Sequence, residues 1–287
     1  MTSNTSPKYI LTLSCKDTRG IVAAVSGFVT QQQGNILESA QFGDDSTGQF
    51  FLRTEFAHEG KGSIDSFKKS FHDEVASRFD MQWQLHATDR KPRLMLMVSK
   101  FGHCLYDLLH RMHSGTLAID VPAIVSNHED LREIAEWYKV PFYYLPMGED
   151  KAAQEAKVLE VADRHDIDLV VLARYMQILS RELCQQLEGR AINIHHSFLP
   201  SFKGARPYHQ AFDRGVKIIG ATAHYVTTDL DEGPIIEQEV ARVDHSFKPK
   251  ELTAAGRDIE CLVLARAIKY HIEHRVLLNG NKTVVFK

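Results

Sequence analysis

An asparagine and a histidine two residues apart are the first candidates for chemistry in this sequence. Asn193 and His195 lie at the end of a short apolar segment, residues 191–194, that predicts a β-strand. Side chains at alternate strand positions point to the same side. An amide and an imidazole that place N–H groups at one point can stabilise a developing oxyanion. An oxyanion site would explain this pair, but for these two residues alone a pair of hydrogen-bonded strand-end side chains is the more common explanation.

A second polar cluster occupies residues 224–234. It contains His224 and three carboxylates before the Gly-Pro pair at 233–234, and Asp231 is one of the three. A polar turn closed by Gly-Pro has this composition and is the more common explanation. Metal binding is also possible on composition. We expect no metal here, because the cluster lacks the paired-histidine spacing of zinc sites.

Two patterns of elements must position these groups. Up to about residue 88 the order is β-α-β-β-α-β, as in ferredoxin-like modules. The predicted strands are 9–15, 36–42, 49–56 and 81–85, and the predicted helices are 21–32 and 64–79. A polar linker at 89–92 follows.

After the linker, short apolar strands alternate with helices, which predicts an α/β fold with a mostly parallel, doubly wound sheet. In such sheets reactive groups gather at the carboxyl ends of the strands. We therefore predict two domains, 1–88 and 89–287. The predicted strands of the second are 94–98, 119–125, 142–145, 169–173, 191–194, 218–226 and 235–243, with a long helix at 250–270 and a terminal hairpin at 276–286.

The bulk composition excludes several classes of function. The 34 basic and 37 acidic residues give a net charge of −3 without a basic block, so we expect no nucleic-acid partner. The sequence contains no apolar run long enough for a membrane span, and residues 1–9 lack the apolar segment of a secretory signal. The scattered cysteines predict reduced thiols and a cytoplasmic protein. They are Cys15, Cys104, Cys184 and Cys261.

Three motifs in order resemble those of the folate-dependent formyltransferase family, over about residues 93–243. They are Ala173-x-x-Met176-x-Ile178-Leu179-Ser180, Asn193-x-His195-x-Ser197-x-Leu199-Pro200, and His224 followed by Leu230-Asp231-x-Gly233-Pro234-Ile235. The resemblance implies that Asn193, His195 and Asp231 are catalytic. It also implies that His224, as a partner of Asp231, and Ser197 support this trio.

The same resemblance implies a folate pocket and 10-formyltetrahydrofolate as the formyl donor, with no separate cofactor. One wall would contain Met176, Ile178 and Leu179, although apolar residues before a helix are more often core. The opposite wall would contain Thr227, Thr228, Asp229 and Leu230.

Two further features indicate which molecule accepts the formyl group. The first module, with Asp17-x-x-Gly20-Ile21, resembles an ACT domain, and an ACT domain before a formyltransferase domain is the arrangement of formyltetrahydrofolate deformylases. The loop after the first strand of the second domain is bulkier than the phosphate loop of glycinamide ribonucleotide transformylases. Its acceptor-side residues are Lys100, Phe101, Gly102 and His103.

The resemblance therefore implies a hydrolase that releases formate and tetrahydrofolate and supplies formate for purine biosynthesis. Two alternatives stay open: a formyltransferase to a small amine, and a catalytically silent regulator that binds folate or amino acids. The ACT resemblance further implies a homo-oligomer assembled partly through residues 9–88, with methionine as activator and glycine as inhibitor. The implied effector residues are Asp17, Gly20, Ile21, Asn35 and Ile36.

Overall fold

The computed structural model describes residues 6–60, 63–200 and 207–287. The chain forms two compact units, one of Met1–Arg90 with Tyr270–Lys287 and one of Lys91–Lys269. The first boundary lies near the expected residue 88. The C-terminal segment differs from the expected division, because it belongs to the first unit and not to the second.

The first unit has the predicted β-α-β-β-α-β order. Its four-stranded antiparallel sheet has the strand order β2-β3-β1-β4, which confirms the ferredoxin-like topology. Helix α2 continues through a π turn and a 3₁₀ turn to Phe79. The elements are β1 (Lys8–Lys16), α1 (Ile21–Gln31), β2 (Gly34–Asp44), β3 (Gln49–His58), α2 (Ile64–Phe71) and β4 (Gln82–Ala87).

The C-terminal segment contacts the sheet of the first unit. Arg53 follows the core residue Leu52 on β3, so its side chain lies on the opposite face of the sheet. There the buried guanidinium donates from Nε to the carbonyl oxygen of Glu273 at 3.0 Å. The imidazoles of His86 and His274 stack with their centroids 3.5 Å apart. Sequence order suggested that the terminal hairpin belonged to the catalytic unit, but these contacts join it to the first. The hairpin strands are β12 (Val276–Asn279) and β13 (Lys282–Val285).

The second unit is a seven-stranded sheet with helices between its strands. The strand order is β11-β10-β9-β8-β5-β6-β7, and the pairs between β9 and β7 are parallel. This confirms the mostly parallel α/β sheet. Its strands are β5 (Arg93–Val98), β6 (Asp120–Ser126), β7 (Phe142–Tyr144), β8 (Leu169–Leu172), β9 (Ala191–His195), β10 (Ile218–Tyr225) and β11 (Ile235–Arg242). Its helices are α3 (His103–His113), α4 (Arg132–Trp137), α5 (Lys151–Arg164), α6 (Arg181–Gln186) and α7 (Pro207–Arg214), and α8 (Pro249–Ile272) begins in it.

The winding of this sheet determines where its loops meet. The chain runs outward from β5 to β6 and β7, and then returns to place β8 and β9 on the other side of β5. All four residues of β8 are buried, as expected for a strand that is covered on both faces. The strand order reverses between β5 and β8, and ligands of open α/β sheets bind at such a point. Among the described residues, no helix is both long and apolar enough to cross a bilayer.

Candidate active site

Asn193 and His224 lie directly opposite each other on the antiparallel strands β9 and β10. His224 Nδ1 is 2.8 Å from the carbonyl oxygen of Tyr225, which can only accept, so Nδ1 carries a proton. Nε2 of His224 is then left to accept a hydrogen bond from Nδ2 of Asn193, at 3.2 Å. This contact orients the amide so that its nitrogen retains a second N–H for another acceptor.

His224 also lies near Asp231, the partner that the resemblance implied for it. The distance from Nε2 to Oδ1 of Asp231 is 3.8 Å, which is longer than the distance to Asn193. The geometry thus adds a contact that the motif did not suggest. His224 contacts two members of the trio, and its closer contact is with the amide.

Asp231 adjoins His195 across the end of the two strands. Its Oδ1 lies 3.4 Å from Nδ1 of His195, and its backbone has a φ of 57°. A left-handed conformation is uncommon for a residue other than glycine and marks a locally constrained backbone. A hydrogen bond from His195 is the largest contribution that holds the pKa of Asp231 well below its usual range, although burial acts in the opposite direction. The carboxylate is therefore ionised at neutral pH.

His195 presents one ring nitrogen without a protein partner. His195 is only 6% exposed, and its buried Nε2 has no hydrogen-bond partner within the described parts of the chain. Buried polar atoms are nearly always paired, so such an atom needs an explanation such as a ligand. Nδ1 faces Asp231, and Nε2 is left for a substrate atom.

The segment after β9 is attached to β10 through Thr222. The hydroxyl of Thr222 donates to the carbonyl oxygen of Ser197 at 3.0 Å and accepts from the backbone N–H of Leu199 at 3.0 Å. Gln238 Nε2 donates to the same hydroxyl at 2.9 Å. Ser197 is buried, and these bonds fix the backbone that leaves His195. The end of this segment reaches residues 201–206, which lie outside the described residues.

One cavity of about 580 Å³ connects these groups. All three residues of the trio line it, and so do both predicted folate walls. Met176 is 50% exposed, Ile178 62% and Leu230 57%, so these side chains are not core. Large apolar side chains grouped around a concave surface are typical of a small-molecule site. The wall residues are Met176, Ile178 and Leu179 on one side and Thr227, Thr228, Asp229 and Leu230 on the other.

The predicted acceptor-side loop contributes only two residues to the cavity lining. Phe101 and His103 line it, whereas Lys100 and Gly102 are not among its lining residues. Gly102 directly precedes helix α3, and a Cβ on it would lie 2.7 Å from Leu131. A side chain at this position would therefore require the side chains of Leu131 and Tyr106 to shift.

The sequence interpretation missed a charged cluster around Glu260 on α8. Glu260 is 1% exposed and lies among apolar residues of the helix. His103 Nε2 is 2.7 Å from its Oε2, the hydroxyl of Tyr208 donates to Oε1 at 2.7 Å, and Arg174 Nε is 3.5 Å from Oε2. Burial opposes ionisation, but these partners together lower the pKa of Glu260. A glutamate on an otherwise apolar helix face was the only signal available in the sequence.

His103, Cys104 and Glu260 also place three potential metal-ligand atoms within 4.8 Å of one another. Hydrogen bonding to Cys261 and burial raise the pKa of the Cys104 thiol well above its ordinary value. Metal binding requires a thiolate. Glu260 already contacts an imidazole, a phenol and a guanidinium, so this donor set does not favour a cation.

The predicted effector residues fall into two groups in the first unit. Asn35 and Ile36, at the start of β2, line a second cavity of about 670 Å³. Asp17, Gly20 and Ile21 lie before or at the start of α1, whereas β2 follows its end. An eleven-residue helix is about 16 Å long, so one unit does not bring the two groups into one cavity.

Comparison with known proteins identifies the family of this chain. A family model described as formyl transferase matches residues 92–268. A formyltetrahydrofolate deformylase from Corynebacterium sp. (strain P-1) is 52% identical over 98% of this chain and 98% of its own length. The crystal structure of a formyltetrahydrofolate deformylase from Burkholderia mallei is 51% identical, with a TM-score of 0.92, and covers 98% of this chain and 100% of that one.

A glycinamide ribonucleotide transformylase from Symbiobacterium toebii is more distant. It is 27% identical, has a TM-score of 0.67, and covers 71% of this chain and 98% of its own. The deformylases, by contrast, match nearly the whole length of this chain. The chain belongs to the formyl transferase family, among its formyltetrahydrofolate deformylases.

Proposed function

We propose that this protein hydrolyses 10-formyltetrahydrofolate to formate and tetrahydrofolate. The observation that carries the proposal is the convergence of Asn193, His195 and Asp231 at one cavity with two apolar walls. The walls suit a flat heteroaromatic ring system, and the trio suits attack of water on an N-formyl group. The relatives that match this chain over nearly its full length are named for the same activity. The released formate supplies purine biosynthesis.

Hydrolysis of an N-formyl group requires stabilisation of a tetrahedral oxyanion. The free N–H of the Asn193 amide and the N–H at Nε2 of protonated His195 are two donors for that oxygen. Loss of one such donor typically costs about 10²–10³ in kcat.

Water attack and departure of the amine need two proton transfers. Asp231 orients the water and accepts its proton as the new C–O bond forms, since the water becomes strongly acidic at that moment. Its low pKa makes it a weak base before that moment. His195 then donates from Nε2 to N10 as the C–N bond breaks. The proton that N10 gains comes from His195, and the proton that Asp231 took from the water restores His195 after turnover. The second proton of the water leaves when formic acid ionises to formate.

The cavity next to the trio supports water rather than an amine as acceptor. Phe101 lines this region, and the imidazole of His103 is held at Glu260 by a 2.7 Å contact. Glu260, which would otherwise be free to bind a cationic amine, already contacts Arg174 and Tyr208. These contacts occupy Glu260, so this carboxylate is not available to a cationic amine acceptor. The silent-regulator alternative is disfavoured because the three predicted catalytic residues line one cavity.

A direct test measures formate release from 10-formyltetrahydrofolate with no amine present. We expect catalytic release by the unmodified chain and a loss of about 10²-fold or more in Asn193→Ala. Gln185→Ala is the matched control, because it removes an exposed amide from α6. Strict dependence of turnover on an added amine would refute the hydrolase assignment.

We also propose that the ferredoxin-like unit is an ACT-type regulatory domain of a cytoplasmic homo-oligomer. The strand β2 is an edge of its sheet, with Leu37 and Phe42 exposed, and an exposed edge of this kind favours pairing with a second copy. The cavity beside Asn35 and Ile36 is large enough for a small amino acid. In an oligomer, Asp17 and Gly20 of one copy can approach Asn35 of another.

The regulatory proposal is tested on the full chain. Methionine should raise the rate of formate release and glycine should lower it, with both effects weakened in Asn35→Ala. Sedimentation at several concentrations measures the assembly. A monomer whose rate responds to neither amino acid would contradict this proposal and leave the hydrolase assignment intact.

A further inference from the structure

A buried arginine with unsatisfied donors lies in the wall of the active-site cavity. Arg174 follows β8, is only 8% exposed and lines the cavity. Its Nε and Nη1 have no hydrogen-bond partner within the described ranges, although Nε is 3.5 Å from Glu260. A buried guanidinium normally satisfies its donors, so these nitrogens are available to an anionic ligand.

The backbone of Arg174 is held in an unusual conformation. Its φ is 67°, a left-handed value that is rare for a side chain of this size. Its carbonyl oxygen accepts from the N–H of Ser99 at 3.2 Å, and the hydroxyl of Ser99 accepts from the N–H of Met176 at 3.0 Å. Strained positions that are fixed by their surroundings cluster at functional sites. The fold thus maintains this position of Arg174 against the local backbone preference.

A second cation adjoins the same aromatic ring. The guanidinium carbons of Arg174 and Arg257 each lie 5.5 Å from the ring centroid of Phe101. Glu260 is the carboxylate beside Arg174, and its oxygens are already engaged by His103 and Tyr208. The two arginines therefore give this part of the cavity a positive character that one anion would reduce.

This positive corner adjoins the reaction centre through His196. The rings of His195 and His196 are 5.1 Å apart. Burial, and then the charge of Arg174, lower the pKa of His196 to about 4. His196 is therefore neutral at physiological pH and adds no competing charge between Arg174 and His195.

We propose that Arg174, assisted by Arg257, binds the carboxylate of the product formate after the C–N bond breaks. This inference rests on the proposed hydrolysis. A guanidinium suits a small carboxylate, because its planar N–H donors match the carboxylate oxygens. Folate carries carboxylates of its own on its glutamate tail. The buried position of Arg174 favours formate, since a long, doubly charged tail is more stable in solvent.

The test measures formate both as a ligand and as a product inhibitor. Carbon-13 relaxation of labelled formate gives its Kd without turnover, and inhibition of initial rates gives its Ki. We expect Arg174→Gln to raise both constants about tenfold, as for loss of a charge-assisted hydrogen bond. Arg174→Lys keeps the charge without the planar donors and should be intermediate. Arg164→Gln, which removes an exposed arginine paired with Glu160, should leave both constants within about twofold.

Two outcomes would overturn this assignment. One is an unchanged formate Kd in Arg174→Gln, or in Arg174→Lys if the glutamine variant does not fold. The other is a rise of KM for 10-formyltetrahydrofolate that disappears with 10-formyltetrahydropteroate, which lacks the glutamate tail. Arg174 would then bind the substrate tail. Failure of the proposed hydrolysis itself is distinguishable, because it would abolish formate release by the unmodified chain.

Discussion

Gly233 tests the geometry of the site without removing a functional group. A Cβ at this position would overlap the carbonyl oxygen of Tyr225 and lie 2.9 Å from the carbonyl carbon and 3.1 Å from Nδ1 of His224. Real Cβ atoms essentially never come within 3.0 Å of another heavy atom. Gly233→Ala therefore forces two backbone segments apart, by more than about 1 Å if contact is to become normal.

The direction of that displacement follows from the strand pairing. Tyr225 is paired with Ile192 on β9, and its carbonyl oxygen also accepts from His224 at 2.8 Å. The segment at 231–234 is the freer of the two, although the carbonyl oxygen of Pro234 accepts from the N–H of Tyr225 at 3.0 Å. We expect this segment to move outward and to carry Asp231 away from His195.

The expected magnitude comes from two opposing effects. Replacing a glycine that needs no positive φ usually stabilises a protein by about 0.4–1 kcal/mol, through the unfolded state. Overpacking costs about 1–3 kcal/mol, so Gly233→Ala should be destabilising overall. A misplacement of about 1 Å at a catalytic group can lower the rate about 10²-fold. We therefore expect a fall of roughly that size in kcat, with a smaller change in KM.

The assay is formate release together with the thermal unfolding midpoint. Gly148→Ala is the matched control, because a Cβ on Gly148 meets nothing within 4 Å and its φ is not positive. If Gly233→Ala matches Gly148→Ala in both activity and stability, the predicted overlap of the new Cβ with the Tyr225 carbonyl oxygen is refuted. A large rise in KM without a fall in kcat would also contradict this prediction, because displacement of Asp231 should lower kcat.

Three further predictions concern Asp231, Gly256 and a stacked pair of histidines. Asp231→Asn keeps the volume but removes the base, so kcat should fall about 10²–10⁴-fold with folate binding retained, and a near-normal kcat would reject the assigned role. Gly256→Ala should lower the unfolding midpoint although alanine is the better helix former, because its Cβ would overlap Tyr208, and an unchanged or higher midpoint would contradict this. Burial, and then the charges of nearby groups, lower the pKa of His86 to about 4 and that of His274 to about 3. The unfolded chain, with histidine pKa near 6.5, therefore binds more protons than the folded one below that pH, so stability should fall from about pH 6.5 towards pH 3. The free energy of unfolding, measured by chemical unfolding, should depend less on pH in His274→Gln than in the unmodified chain. An equal pH dependence in both would refute this prediction.

The sequence by itself determined the elements and the polar residues of the site. Period-two and helical patterns of apolar residues depend on local geometry, so they predicted the β-α-β-β-α-β module and the alternating second half. The motifs around Asn193, His195 and Asp231 identified three groups that line one cavity. Residue type and local order were enough for these predictions, because each strand end presents its own side chains.

Only the tertiary structure decided which distant residues meet. Arg174 and Glu260 lie far apart in the chain, and their contact depends on how α8 packs beside the loop after β8. The position of the C-terminal hairpin likewise depends on Arg53 and His86, which no local pattern connects with residues 273–287. Contacts between residues far apart in the chain produce no periodic pattern of residue types in the sequence. For that reason the charged side of the cavity, and the unit to which the last residues belong, could be read only from the folded chain.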